Sequence, residues 1–372
     1  MFVLSCLFPC FALAQKTDGK LSTFKDSLDN KIDFSRFLVE FHGFLPIVTI
    51  ITEPALGGFG AGLGPVFLTQ KKAPAGIKYV APDITAGFAM YTVNNSWGGF
   101  AYRQGSFPKA GIKYRVAGGY TNINLAFYRD VETLGEQQFD FNIKMIPLAL
   151  NVSKRISRSD VYLGLKYTYM NNKLTPDFGE GLPNFINEED LESRTSSLGL
   201  FLDWDKRNTI FTPDNGFQIN AGYQQDDDWT GSDFTFGRFN ELAVFYWSLK
   251  DNWIFGFRFE GLQAIQDPPF YMLPYINLRG IPAMRYQGWQ TYVVETEQRF
   301  DLAMRWSLVA FAGYGKAINL DESFSSGRNV FNVGTGFRYL VAREFKIRAG
   351  IDIAAGPDSW GWYINFGHAW NR

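Results

Sequence analysis

Two histidines, His42 and His368, are the whole imidazole inventory of 372 residues. An exported hydrolase would need a Ser or Asp beside one of them, on the side where substrate arrives. His42 precedes the first strongly patterned segment and His368 lies close to the C-terminus. Neither suits an outward-facing active site, so no catalytic residue is assigned and a non-enzymatic protein is expected. The acidic runs Glu188-Glu189-Asp190 and Asp226-Asp227-Asp228 read as solvated loop charge. No His/Asp/Glu cluster has metal-ligand spacing, so neither metal nor cofactor is expected. Gly60-Ala61-Gly62-Leu63-Gly64 has no following helix and no Lys to cradle phosphate, and close strand packing explains it.

The remaining charged groups sit at alternate positions, which defines the elements that carry them. Trp253, Phe255, Phe257 and Phe259 alternate with Ile254, Gly256, Arg258 and Glu260. Val161, Leu163, Leu165 and Tyr167 alternate with Tyr162, Gly164, Lys166 and Thr168, and Ile347, Ala349, Ile351 and Ile353 with Arg348, Gly350, Asp352 and Ala354. Successive strand side chains change face, so each segment has an apolar wall and a polar one. With 36 Phe, 18 Tyr and 10 Trp, many near segment ends, the pattern fits a transmembrane barrel with aromatic girdles better than a soluble sandwich. Mean hydropathy is only −0.14 and no uncharged apolar run reaches the length of a helical span. Lys and Arg total 36 against 37 Asp and Glu, which excludes a broad basic surface for nucleic acid.

Residues 1–14 read as a signal peptide ending Ala12-Leu13-Ala14, and both cysteines, Cys6 and Cys10, fall inside it. Residues 15–43 read as a polar periplasmic tail, its stretch to Arg36 mobile and without a strand, and 44–372 as the barrel. Sixteen alternating segments are counted, starting at 58–69, with 109–119 and 121–129 as separate strands and 361–370 as the last. The expected fold is therefore all-β, a transmembrane antiparallel barrel of about 16 strands. The longest gaps are 171–192 and 264–290, both on the extracellular side by strand parity. The second is punctuated by Pro268, Pro269, Pro274 and Pro282 yet carries apolar Ile276, Leu278 and Ile281, which suits a loop folded into the lumen.

Three stretches resemble the BamA-type superfamily of outer membrane assembly and secretion barrels, the bacterial surface antigen family. Asp203-Trp204-Asp205-Lys206-Arg207-Asn208, followed by Phe211-Thr212-Pro213-Asp214-Asn215-Gly216, resembles its strand-turn motif. Leu278-Arg279-Gly280-Ile281 resembles its loop motif, with Ile281 replacing an aromatic. Glu297-Gln298-Arg299-Phe300, Phe311-Ala312-Gly313-Tyr314-Gly315 and the closing Phe366-Gly367-His368-Ala369-Trp370 resemble its last strands, and Pro46 to Gly64 its entry into the barrel. The resemblance implies that Arg279 meets an acid and an aromatic of the inner wall. Glu297 and Phe311 would supply these, with Arg299 on the face of Glu297, and Gly313 and Gly315 leaving room for the loop. Ile364, Phe366 and Trp370 form an expected apolar row that would serve as the C-terminal insertion signal.

By the same resemblance, the expected function is outer membrane protein assembly or transport, in a member without periplasmic repeat domains. Outer membrane lipid, lipopolysaccharide and protein partners in the outer membrane or periplasm are the expected contacts. The alternative is a passive diffusion channel or a structural barrel.

Overall fold

The computed structural model describes residues 24–26, 28–40, 44–69, 71, 80–131, 135–157, 159–178, 183 and 186–370. The expected signal peptide and His42 lie outside these residues. Sixteen strands pair in sequence order, each antiparallel to the next, in one sheet that curls round until its first and last strands meet. The first eight are β1 Phe44–Ile51, β2 Gly60–Thr69, β3 Asp83–Thr92, β4 Trp97–Phe107, β5 Ile112–Val131, β6 Gly135–Arg155, β7 Val161–Pro176 and β8 Glu192–Asp205. The rest are β9 Gly216–Asp226, β10 Phe236–Lys250, β11 Trp253–Gln266, β12 Gln290–Asp301, β13 Trp306–Ile318, β14 Arg328–Ala342, β15 Ile347–Ala355 and β16 Trp360–Phe366.

The expected total of sixteen agrees, but two assignments inside it do not. β1 was not counted as a strand, and 109–119 and 121–129 are one strand, β5. Gly118 and Gly119 interrupt the alternation there, and Pro147 on β6 has no N–H to pair with this stretch. β1 lacks alternation because Phe44-Leu45-Pro46-Ile47-Val48 is apolar on both faces.

The barrel is inside-out. Leu200 points outward and is 58% exposed, whereas Asp352 points into the lumen and is 0% exposed. Leu163, Leu165, Phe331 and Val333 are likewise exposed outside, and Arg258, Glu295 and Arg338 buried inside. An apolar exterior needs lipid, and a sheet curled into a nearly closed barrel pairs within itself the backbone polar groups that lipid cannot satisfy. β5 and β6, 20 and 21 residues long, reach about 65 Å at ~3.3 Å per residue, so their hairpin stands well clear of a bilayer.

Both ends of the lumen are filled. At one end, Phe270 and Tyr271 of the 267–289 loop pack on Phe127, Phe141, Ile143 and Leu174, inner-wall residues of β5, β6 and β7. At the opposite end sits the segment before β1, ending in helix α1, Ser35–Glu40. Leu38 packs against Val66, Leu68, Ile84 and Ala86 of β2 and β3. Arg305, in the β12–β13 turn, binds Asp26 and Asp29 at 2.6 Å each and Asp33 at 2.8 Å. Arg343, in the β14–β15 turn, adds a second contact to Asp26 at 2.6 Å. The backbone joins in, with Phe34 N donating to Val341 O at 2.7 Å. The expectation of a mobile polar tail is thus corrected for residues 24–40. Its polar composition reflects ion pairs to two turns, and its few apolar side chains are the ones that dock.

Candidate functional site

The β11–β12 loop descends into the lumen because it cannot remain outside without exposing apolar groups. Ile276, Leu278, Ile281 and Tyr286 are buried against Val293, Ala317 and Val330 of the inner wall. The wall is hollowed to receive them. A Cβ on Gly313 would stand 2.7 Å from Leu278 Cδ2, and one on Gly315 would stand 2.5 Å from Ile276 Cγ2.

That packing places Arg279 over the wall of β12, β13 and β15. Its Nη2 donates to Glu295 Oε1 at 2.9 Å and its Nε reaches the same oxygen at 3.2 Å. Its Nη1 donates to Asp352 Oδ2 at 2.6 Å and pairs with Glu297 Oε2 at 2.9 Å. The guanidinium lies 3.4 Å from the centroid of the Phe311 ring, a close cation–π contact. The backbone is held as firmly. Asn332 Nδ2 donates to Arg279 O at 2.8 Å, Gly280 N to the Tyr363 hydroxyl at 2.8 Å, and Ser359 Oγ to Gly280 O at 2.6 Å. Gly280 adopts φ +85°, where a side chain is strained, and a Cβ there would also stand 2.9 Å from Ala354 carbonyl atoms.

Two further arginines balance the acids. Arg338 grips Asp352 with both Nη atoms, at 2.5 and 2.9 Å, and Asn365 Nδ2 donates to the same carboxylate. Arg258 pairs with Glu295 at 3.4 Å and donates to Asn277 O of the loop at 2.7 Å. Arg258, Arg279 and Arg338 face Glu295, Glu297 and Asp352, so the network is neutral as a whole. This matters because a buried charge is tolerated only when paired.

The strand-turn motif forms a second constellation at the end of the barrel that α1 occupies. Arg207 binds Asp205 through Nε and Nη2, at 2.9 and 2.8 Å, and its Nη1 lies 3.0 Å from His368 Nε2. The Tyr246 hydroxyl lies 2.9 Å from His368 Nδ1. Asn208 Oδ1 accepts from Asp214 N at 3.1 Å, and Asp203 accepts from Gln218 at 2.9 Å. Gly216 has φ +103° and leaves no room for a Cβ beside Lys206 O, at 2.2 Å. Pro213 opens towards a small cavity that Tyr246, Arg299, Arg338 and His368 also line. Arg299, expected beside the loop, instead binds Asp214 of this turn and Asp301.

The C-terminal row is corrected. β16 ends at Phe366, and Gly367 at φ +80° turns the chain inward. Ile364 and Phe366 remain on the strand, with Phe366 packed on the α1 cluster. Trp370 leaves that row and is buried against Val244, Tyr246 and Ile254 of the inner wall. Its Nε1 donates to Glu295 Oε2 at 2.6 Å.

Two acids of the runs singled out in the sequence have local duties. Asp226 binds Ser197 and Arg238, and Asp190 accepts from Asn187 N.

The Omp85 superfamily domain model matches residues 68–270, more than half of the chain. The chain belongs to the Omp85 superfamily. No curated protein sequence matches it. Among solved structures, BamA from Haemophilus ducreyi lacking POTRA domains 1–3 is similar, with TM-score 0.58, 11% identity, 87% of this chain and 69% of that chain covered. CdiB from Escherichia coli aligns with TM-score 0.58, 10% identity and 86% and 62% coverage. CdiB from Acinetobacter baumannii aligns with TM-score 0.56, 13% identity and 87% and 59% coverage. At these identities the likeness concerns the fold, and the chain spans about three-fifths of the CdiB chains. The match to the Omp85 model stops before Arg279, so the loop network stands on its own geometry.

Within this Omp85 barrel, sequence reasoning missed Glu295, Asp352, Arg338, Arg258 and Trp370 as partners of the loop. A usable signal existed for three of them, since Arg258 also stands on a polar inner wall in the sequence pattern. Glu295 shares the inward face of Glu297, and Asp352 was already read as a charge on an inner wall.

Proposed function

We propose that this protein is a bacterial outer membrane barrel that assists the assembly or export of outer membrane proteins, together with protein partners. The observation that carries the reading is the double closure of the lumen. Arg279 holds the extracellular loop inside, and Arg305 holds the 24–40 segment across the periplasmic mouth. A passive diffusion channel gains nothing from a loop fixed by three carboxylates and an aromatic ring. A machine that acts through its wall or by controlled opening does. Family membership supports the same reading, and the outward-facing apolar belt supports residence in the outer membrane.

The direct test is reconstitution. Liposomes carrying the protein should insert a urea-unfolded outer membrane porin faster than protein-free liposomes of the same lipid. Equal rates, with or without periplasmic extract to supply partners, would contradict the assembly reading. Steady large currents from wild-type protein in planar bilayers would favour the diffusion channel.

A further inference from the structure

Away from the loop network, strand register aligns a row of inward-facing polar side chains across half the barrel. Gln104 on β4 pairs with Arg115 on β5, which pairs with Asn151 on β6, which pairs with Lys166 on β7. Lys166 pairs with Gly199 on β8, Gly199 with Gln224 on β9, and Gln224 with Arg238 on β10. Paired residues in an antiparallel ladder share a face, so the row is a continuous stripe on the lumen wall. The row contains three cations and no acid.

Two of the cations lack a carboxylate. Among the described residues no Asp or Glu lies within ion-pair distance of Lys166 or Arg115, although Arg115 reaches the Tyr102 hydroxyl. Arg238 has Asp226 at 3.2 Å, yet its Nε–H is buried without an acceptor. Lys166 feels both arginines as repelling neighbours. Gly199, with no side chain, lets β9 approach closely beside Lys166: a Cβ there would stand 2.3 Å from Tyr223 O and 2.6 Å from Gln224 Cγ. The stripe is flanked as well. The same row runs back through Ile84 and Leu68, which hold α1, and the Phe127–Phe270 cluster roofs β5 to β7.

We propose that this stripe is an oxyanion site inside the barrel, for a ligand bearing phosphate or carboxylate groups. Lys166 and Arg115 supply uncompensated charge, Arg238 supplies a free N–H, and the Gln104 and Gln224 amides flank them. Rings of Lys and Arg on pore walls select anions for the same reason, and Arg115 is exposed where an entering anion can meet it.

Calorimetric titration of the full chain in detergent tests the site, with sodium pyrophosphate and sodium citrate as probes at constant ionic strength. Two backgrounds are used, wild type and Arg305→Ala, in which the periplasmic plug is unlatched and entry does not limit binding. Saturable binding of one anion per barrel is expected in at least the unlatched background. Lys166→Gln with Arg115→Gln should weaken it at least about tenfold, while Lys144→Gln, on the outer wall, should leave it unchanged. Stronger pyrophosphate binding would mark a phosphate ligand, and stronger citrate binding a carboxylate. Absence of binding in both backgrounds, or equal binding by the double variant shown to be folded by its gel mobility, would overturn the site.

Discussion

The indole N–H of Trp370 donates to one oxygen of Glu295 while Arg279 occupies the other. The C-terminal segment and the lumen loop therefore share a single carboxylate. Trp370→Phe keeps the ring and removes the donor. Losing one hydrogen bond to a buried ionised partner should cost about 1.5–3 kcal/mol. The temperature at which the folded gel form disappears should fall, whereas Trp370→Phe in a Glu295→Gln background should add little. Strict additivity would show that the two contacts are independent.

The seat of the loop can be filled. Gly315→Ala places a methyl group against Ile276, whose β-branched side chain has little freedom to move. Overpacking of this kind costs about 1–3 kcal/mol. Proteolysis of the loop in intact cells should increase for Gly315→Ala and stay at wild-type level for Gly87→Ala, where an added Cβ would meet nothing closer than 3.9 Å.

At the opposite mouth, Arg305 carries three of the plug's ion pairs. Arg305→Ala should free residues 24–40 for protease digestion in the periplasm and leave the barrel folded. Arg343→Ala, with one carboxylate partner, should have a smaller effect. Equal resistance of Arg305→Ala and wild type would mean that the Leu38 packing alone holds the plug.

Acid should release the same plug. The Arg343 hydrogen bond lowers the Asp26 carboxyl to about 2. The Arg305 contact likewise holds Asp29 below its ordinary value. Burial pushes Asp33 up, but hydrogen bonds from Ser35 and Arg305 outweigh it and hold it down. Depressed carboxyl values stabilise the docked state above the unfolded value of about 4, and the gain disappears as pH falls towards about 2. Fluorescence anisotropy of a dye on Leu28→Cys should stay constant from pH 8 to pH 5 and drop below pH 4. A midpoint near pH 6 would contradict this origin.

Much of the barrel was legible because alternation encodes a two-faced strand directly. Trp253 to Glu260 and Ile347 to Ala354 each show both walls in eight residues. β1 was not legible, since Phe44 to Val48 is apolar on both sides and signals no face. The loop network was half legible: Arg279, Glu297 and Phe311 lie together where the motif resemblance pointed. Asp352 and Trp370 reach them from β15 and the C-terminus, a closure across the barrel that local sequence cannot encode. The plug was read as a tail because Asp26, Asp29 and Asp33 look like solvated charge until the turns carrying Arg305 and Arg343 are brought beside them.

Single-channel recording of wild type, Arg279→Ala and Glu295→Gln in planar bilayers tests the central claim most directly. Removing one partner of a buried ion pair costs about 3–5 kcal/mol, enough to free the loop. Wild-type barrels should be closed for most of the record, and both variants should show frequent large openings. Wild-type currents as large as those of Arg279→Ala, or a variant as silent as wild type, would contradict a lumen held shut by Arg279.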